Sequence, residues 1–270
     1  MLAIASRRWP WLVVAPVAPL AGLVVIVATL SSSLAARTPM EPKPAIVLVH
    51  GAFADATGWQ KVIPILERDG YTVTAVQNPL TSLAADVATT RRVIEAEKGP
   101  VIVVGHSYGG AVITLAAAGL PQVKGLVYVA AFAPDEGESL GGLLERGPQS
   151  AIGPALVPDS AGFLTIDRAK FQDVFAKDVQ DVEARVMAAT QKPIAGDIFR
   201  APCAKPAWKA IPAHYLVARQ DRAIHPDLQR FMAERLKART AEVDSSHVPF
   251  VSRPADVARF IEDAATGAER

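Results

Sequence analysis

Residues 101–111 read Val-Ile-Val-Val-Gly-His-Ser-Tyr-Gly-Gly-Ala, and this stretch restricts the chain more than any other. Its first four residues are a continuous apolar, β-branched run, the pattern of a strand buried on both faces. Gly105-His106-Ser107-Tyr108-Gly109 then spells G-x-S-x-G, and a helical apolar pattern follows. A serine between a strand and a helix occupies a strained turn that lifts its hydroxyl clear of the sheet. Small residues two before and two after let the backbone pass closely, and the helix N-terminus beyond favours a developing negative charge. The bare pattern is weak, because a tight turn with a capping serine has the same spelling. The strand–turn–helix setting gives it weight.

The surrounding rhythm agrees with that setting. Apolar runs at 45–49, 71–76, 101–104 and 123–131 read as strands, with helical spacing at 58–69, 82–98 and 107–119 between them. Ser82 is the expected cap of the second helix and Gly99 its stop. Residues 135–212 then break the pattern. They show no clear apolar strand, hold a helical stretch at 167–189, and read as a helical cap rather than a structureless loop. The alternation resumes with a strand at 214–218, a helix at 226–237, a strand at 239–243 and a closing helix at 254–265. The implied class is α/β: a mostly parallel sheet flanked by helices, with a helical cap inserted between strands.

A serine hydroxyl needs a base, and the base an orienting acid. Of the five histidines, His50 follows the first strand and is expected to hold its loop. His106 neighbours the serine with its side chain expected to point away. His214 opens a strand and His225 a helix. His247 lies in the polar loop Asp244-Ser245-Ser246-His247 after the last strand, and loops at the carboxyl ends of parallel strands are where such sheets place their sites. His247 is therefore the candidate base. Asp221, just after the preceding strand, is the first candidate acid and gives the chain order Ser107, Asp221, His247. Asp135 is its rival, and Asp244 a third, read as loop-shaping. An oxyanion needs donors already in place. The backbone N–H groups of Tyr108 and Ala52 are assigned that role, with Phe53 second to Ala52. Phe53 is also a candidate substrate-binding residue, with core packing as the alternative.

Together, His50-Gly51-Ala52-Phe53, Gly105-His106-Ser107-Tyr108-Gly109-Gly110, Asp221 and His247 resemble the α/β-hydrolase-fold serine esterases from about Pro44 onward. The segments His50–Trp59 and Asp221–Phe231 are most similar to small bacterial hydrolases related to plant methyl esterases and hydroxynitrile lyases. The resemblance implies an α/β-hydrolase fold, a cap where 135–212 stand, and an acid after the strand that follows the cap, which supports Asp221. The lyases of this group resemble one another in a lysine directly after the catalytic histidine. Here that residue is Val248, which argues against lyase chemistry.

The expected activity is cleavage of a small or medium uncharged carboxylic ester through an acyl-enzyme, with a lactone or amide as alternative substrates. The competing readings are a non-hydrolytic, lyase-type enzyme on the same fold and a catalytically silent ligand-binding protein. No cofactor is expected, since no metal-ligand spacing, P-loop or dinucleotide fingerprint occurs. Phe163, Phe171, Phe175, Phe199 and Trp208 of the cap are candidates for an acyl pocket, with core packing as the alternative. Lys and Arg total 28 against 27 Asp and Glu, so the basic surplus of a nucleic-acid binder is missing. The single cysteine, Cys203, forms no internal disulfide. Residues 1–36 carry Arg7 and Arg8 and no acid, then a 22-residue apolar run from Trp9 to Leu30 and a small-residue end. They read as a secretory signal or an N-terminal membrane anchor, placing the domain outside the cytoplasm: periplasmic, secreted, or anchored facing outward. Membrane contact is expected only through that segment, if it is retained. Residues 37–43 read as a proline-rich linker and 44–270 as the folded domain. Nothing in the sequence fixes the oligomeric state.

Overall fold

A computed structural model describes residues 43–267. The export segment expected over 1–36 and all of the expected linker but Lys43 lie outside the described residues. In chain order the elements are β1 (Ala45–Val49), a 3-10 turn (Ala56–Lys61), α1 (Ile63–Arg68), β2 (Val73–Val76), α2 (Leu83–Ala96), β3 (Val101–His106), α3 (Tyr108–Ala116) and β4 (Val123–Val129). The cap follows with α4 (Leu140–Arg146), β5 (Leu156–Pro158), β6 (Phe163–Ile166), α5 (Arg168–Phe175), α6 (Asp181–Thr190), β7 (Ile194–Ala195) and a 3-10 turn (Gly196–Arg200). The chain returns through β8 (Ala213–Ala218), α7 (Pro226–Arg235), β9 (Arg239–Val243), α8 (Pro249–Ser252) and α9 (Pro254–Thr266).

Six strands form a parallel sheet in the order β2-β1-β3-β4-β8-β9. The interior strands β1, β3 and β4 are apolar and buried almost throughout, whereas the edge strands β2 and β9 are half-exposed. That is the burial an α/β sheet imposes when helices cover both faces. From β1 the chain steps to β2 on one side and then crosses back to β3 on the other, so the order reverses between β1 and β3. Ligand sites of open α/β sheets lie at such a switch point, outside the carboxyl ends of the strands. The loop after β1 and the turn after β3 meet there.

Two expectations need correction. The cap is not purely helical: β5, β6 and β7 make a small antiparallel sheet. Its strands are two to four residues long and largely half-exposed, too short and too mixed to leave an apolar run in the sequence. The helix expected at 167–189 is two helices, α5 and α6, parted by a turn in which Val179 N–H donates to the Ala176 carbonyl (3.0 Å). The helix expected at 58–69 likewise divides, into the 3-10 turn Ala56–Lys61 and α1; the other boundaries agree within a few residues. Ser82 Oγ caps α2 by accepting from Ala85 N–H (3.1 Å).

Helix α3 packs directly on β1. A Cβ at Gly109 would stand 2.5 Å from the Val49 carbonyl oxygen and 2.7 Å from that of His50. These are backbone atoms at the end of β1 and just after it, and cannot swing aside as a side chain could. Gly109→Ala should therefore lose about 1–3 kcal/mol of stability, as overpacked cores do, seen as a lower urea midpoint at unchanged slope. A wild-type midpoint would mean that α3 can lift off β1 at no cost.

Candidate active site

Ser107 stands between β3 and α3 with φ +52° and ψ −123°, a conformation that costs a residue with a side chain about 1–3 kcal/mol. The turn is held from outside. The Ser107 carbonyl accepts from Gly110 N–H and Phe132 N–H, both at 3.0 Å. The loop after β1 presses close, and a Cβ at Gly51 would stand 2.7 Å from the Ser107 Cβ. Glycine is thus needed at 51 for the approach rather than for its φ.

Ser107, His247 and Asp221 form one hydrogen-bonded chain. His247 Nε2 lies 2.8 Å from Ser107 Oγ, and His247 Nδ1 lies 2.7 Å from Asp221 Oδ2. A carboxylate oxygen accepts, so Nδ1 carries the proton, Nε2 is the acceptor and the serine hydroxyl donates. All three are buried, at 6%, 1% and 3% exposure. Asp221 is fixed by further donors: Ala223 N–H (2.7 Å) and Ile224 N–H (3.0 Å) on Oδ1, and Gln229 Nε2 (2.7 Å) on Oδ2. The rival acids are elsewhere. Asp135 pairs with Lys209 (2.5 Å) and Asp244 with Arg219 (2.6 Å).

Gln229 was not singled out in the sequence. It is fully buried on α7, donates also to the Ile224 carbonyl (2.7 Å), and accepts from Ala218 N–H at the end of β8 (3.0 Å). The available signal was a lone amide among Leu228, Met232 and Ala233 on the buried face of that helix.

The other histidines take other parts. His50 accepts from Asn78 N–H through Nε2 (3.0 Å), so its Nδ1–H donates to the Gly51 carbonyl (2.8 Å). It ties the loop after β1 to the segment after β2. Burial lowers its pKa to about 4, against the hydrogen bond to Gly51. His106 departs from the expectation that it points away. Its Nε2–H donates to the His247 carbonyl (2.8 Å) and its ring lies 4.7 Å from the His247 ring. Burial, with His247 beside it, holds this imidazole well below the usual pKa. His225 caps α7 by accepting from Asp227 N–H (3.2 Å).

A cavity of about 20 Å³ adjoins Ser107 and His247. Ala52, Phe53, Tyr108 and Phe132 line it from the sheet side, and Leu144, Ile152 and Phe199 from the cap. Of the five cap aromatics only Phe199 lines it. Phe171 and Phe175 are fully buried, Phe163 lies in β6, and Trp208 donates to the Pro134 carbonyl (3.0 Å). Among the described residues, neither Ala52 N–H nor Tyr108 N–H has a protein acceptor. The Tyr108 hydroxyl donates to buried Asp86 on α2 (2.6 Å). A larger open groove of about 640 Å³ lies behind Asp221. Its arginines 219, 222 and 230 are each paired with a carboxylate, so it offers no free cationic site. Among the described residues no cluster of His, Cys, Asp and Glu could hold a metal ion, and no helix is long and apolar enough to cross a membrane.

A serine turned up at the end of a central parallel strand, a buried histidine and carboxylate behind it and an inserted cap define the class. Residues 46–260 match the alpha/beta hydrolase family, and the chain belongs to it. Methylesterase 8 of Arabidopsis thaliana is 26% identical over 235 residues, covering 78% of this chain and 86% of the relative. An alpha-hydroxynitrile lyase of the same plant is 38% identical over 110 residues, 36% of this chain and 43% of the lyase. The crystal structure of a pyrethroid hydrolase from Sphingobium faniae JZ-2 has the same fold, with a TM-score of 0.71 at 22% identity, covering 83% of this chain and 97% of that one.

The state of His50 makes the site sensitive to acid. Its folded pKa lies below the ordinary value, so the unfolded chain takes up this proton first as pH falls. The stability it contributes is complete above about pH 6.5 and is lost as pH drops towards 4. At about 1.4 kcal/mol per pH unit the share is about 3 kcal/mol. Urea unfolding between pH 7 and 4 should show a shallower loss for His50→Gln than for the wild type. Parallel curves would mean that folded His50 takes up its proton as readily as the unfolded chain does.

Proposed function

We propose that this chain is a serine carboxylesterase that cleaves small or medium uncharged carboxylic esters through an acyl-enzyme. The observation that carries the reading is the hydrogen-bonded chain Ser107–His247–Asp221 opening onto an apolar cavity. Ser107 Oγ attacks the ester carbonyl while its proton passes to His247 Nε2. Asp221 holds the ring through Nδ1–H and stabilises the imidazolium. The N–H groups of Ala52 and Tyr108, free of protein acceptors, receive the oxyanion. Collapse of the adduct expels the alcohol, which takes the proton from His247. Water then attacks the acyl-serine, again giving its proton to His247, and the carboxylic acid leaves.

The substrate class follows from the lining. Apart from Ser107, Tyr108 and His247 every cavity residue is apolar, and no lysine or arginine reaches it, so a charged substrate would be desolvated without a partner. The space beside Ser107 is narrow, about 20 Å³, so an ester larger than it would be seated by movement of a cap side chain among Leu144, Ile152 and Phe199. The methylesterase relative supports a short ester. The lyase relative favours a second reading, cleavage without hydrolysis. Val248, fully buried after His247, offers neither charge nor donor side chain for it. We also propose that residues 1–36 export the domain, on their charge pattern alone. The N-terminal residue of the protein recovered from its host should fall near Ala36 if that segment is cleaved, and at Met1 if it is retained.

A fluorophosphonate probe should label Ser107 and no other residue, with the adduct located by mass spectrometry. Ser107→Ala should lower turnover of p-nitrophenyl acetate roughly ten-thousand-fold or more with unchanged unfolding. Asp221→Asn should cost much of the activity and Asp135→Asn little. Unlabelled, well-folded protein would point instead to a silent ligand-binding role.

A further inference from the structure

The loop carrying His247 is gripped from two sides. From the sheet, His106 Nε2–H donates to the His247 carbonyl (2.8 Å). From the cap, the grip comes from the end of α5 and the turn after it. The Phe175 ring packs against the His247 ring at 4.9 Å, inclined by 64°. Asp178, in the turn between α5 and α6, accepts a hydrogen bond from Ser246 Oγ, on the residue directly before His247. The Phe175 carbonyl lies 3.5 Å from the same hydroxyl. The turn is itself pinned, with Val179 N–H on the Ala176 carbonyl (3.0 Å) and Gln172 Nε2 on the Val179 carbonyl (3.2 Å).

Asp178 is an unusual residue to find there. Its Oδ2 is buried without a partner among the described residues, and an orphaned buried oxygen asks for an explanation. Burial pushes its carboxyl up, but the hydroxyls of Ser246, Ser252 and Ser245 outweigh that and hold it below the usual carboxylate range. Ser245 Oγ and Ser252 Oγ are 2.9 Å apart and pair with each other, while Ser246 Oγ is the hydroxyl hydrogen-bonded to this cap carboxylate. Among the described residues this carboxylate forms no ion pair, and the hydroxyl it holds belongs to the loop of the base. What it can do is fix that loop.

We propose that Asp178 is a positioning residue for the reaction, holding the loop of His247 from the cap through Ser246, so that seating of the cap and alignment of the base are one event. The inference rests on reading His247 as the base of an esterase. Misplacement of a reacting group by about 1 Å costs up to a hundredfold in rate, and a loosened base lowers kcat rather than binding.

The test uses the full chain, p-nitrophenyl acetate and the variants Asp178→Ala, Asp178→Asn, Ser246→Ala and the double alanine. Each single alanine should lower kcat about tenfold while KM stays within about twofold. The double variant should lose no more than the worse single one, because both remove the same link. Asp178→Asn keeps an acceptor for Ser246 and should recover kcat to within about threefold of wild type, a rescue that a purely structural or purely electrostatic role would not predict. Wild-type kcat in either single alanine variant, additive losses, or Asn no better than Ala would each overturn the proposal. If Asp178→Ala does not fold, Ser246→Ala decides alone, since it deletes only the hydroxyl. The rate of fluorophosphonate labelling separates the two levels of the argument. A wild type that neither labels nor turns over removes the esterase reading and this proposal with it. A wild type that does both, with variants that match it, removes this proposal only.

Discussion

The backbone of Ser107 is the constraint on which the rest of the structure depends. A serine at φ +52° does not stay there by itself. Its carbonyl is held by two N–H groups, from α3 and from the chain leaving β4. The helix it starts can reach the turn only because Gly109 lets α3 sit on the β1 backbone. The same closeness brings Gly51, and with it Ala52 N–H, against the serine. The order of strands makes this possible, since β1 and β3 are neighbours at the reversal of the sheet. Fold and site are therefore one problem: the packing that traps the strained serine also delivers the groups around it.

Three imidazoles lie at the carboxyl end of the sheet, and their hydrogen bonds set them apart. His50 uses both ring nitrogens on backbone, and His106 uses one on backbone and leaves the other bare. Burial keeps both neutral at ordinary pH. Only His247 has a hydroxyl on one nitrogen and a carboxylate on the other. On the proposed reading, in which His247 accepts a proton, a neutral His106 beside it is a consistent arrangement, because a charged neighbour would oppose the imidazolium. The apolar walls strengthen its attraction to Asp221, and Gln229 and two backbone N–H groups keep that carboxylate in place.

Much of this was legible in the chain. Strands buried on both faces leave continuous apolar runs, so β1 begins and ends where expected, and the motif placed Ser107 in its turn. The position of His247 in a polar loop after the last strand, and the chain order for Asp221, come from topology rather than local pattern, and the geometry brings both to Ser107. What was not legible depends on tertiary contacts. The cap strands β5–β7 are too short for a period of two to show. His106 was expected to turn away, because nothing local reveals that the His247 carbonyl lies in its reach. Asp178 is one acid among several in a polar stretch, and only the folded chain sets it beside Ser246.

The cap does two things that pull in different directions. It narrows the cavity to about 20 Å³, and it grips the loop of His247 through Phe175 and Asp178. If His247 is the base of an esterase, as proposed, lifting the whole cap to admit the ester would release that base at the moment it is needed. The wall formed by α4 and the turn Gly196–Arg200 carries no such duty. Its Leu144 and Phe199 line the cavity and are also half-exposed to solvent, and neither element touches the His247 loop through any hydrogen bond among the described residues. A side chain that faces both cavity and solvent can rotate with less loss of packing than one that is fully enclosed. On the proposed reading, the path that would keep His247 aligned while a substrate enters runs past Leu144 and Phe199, with α5 and its following turn left seated.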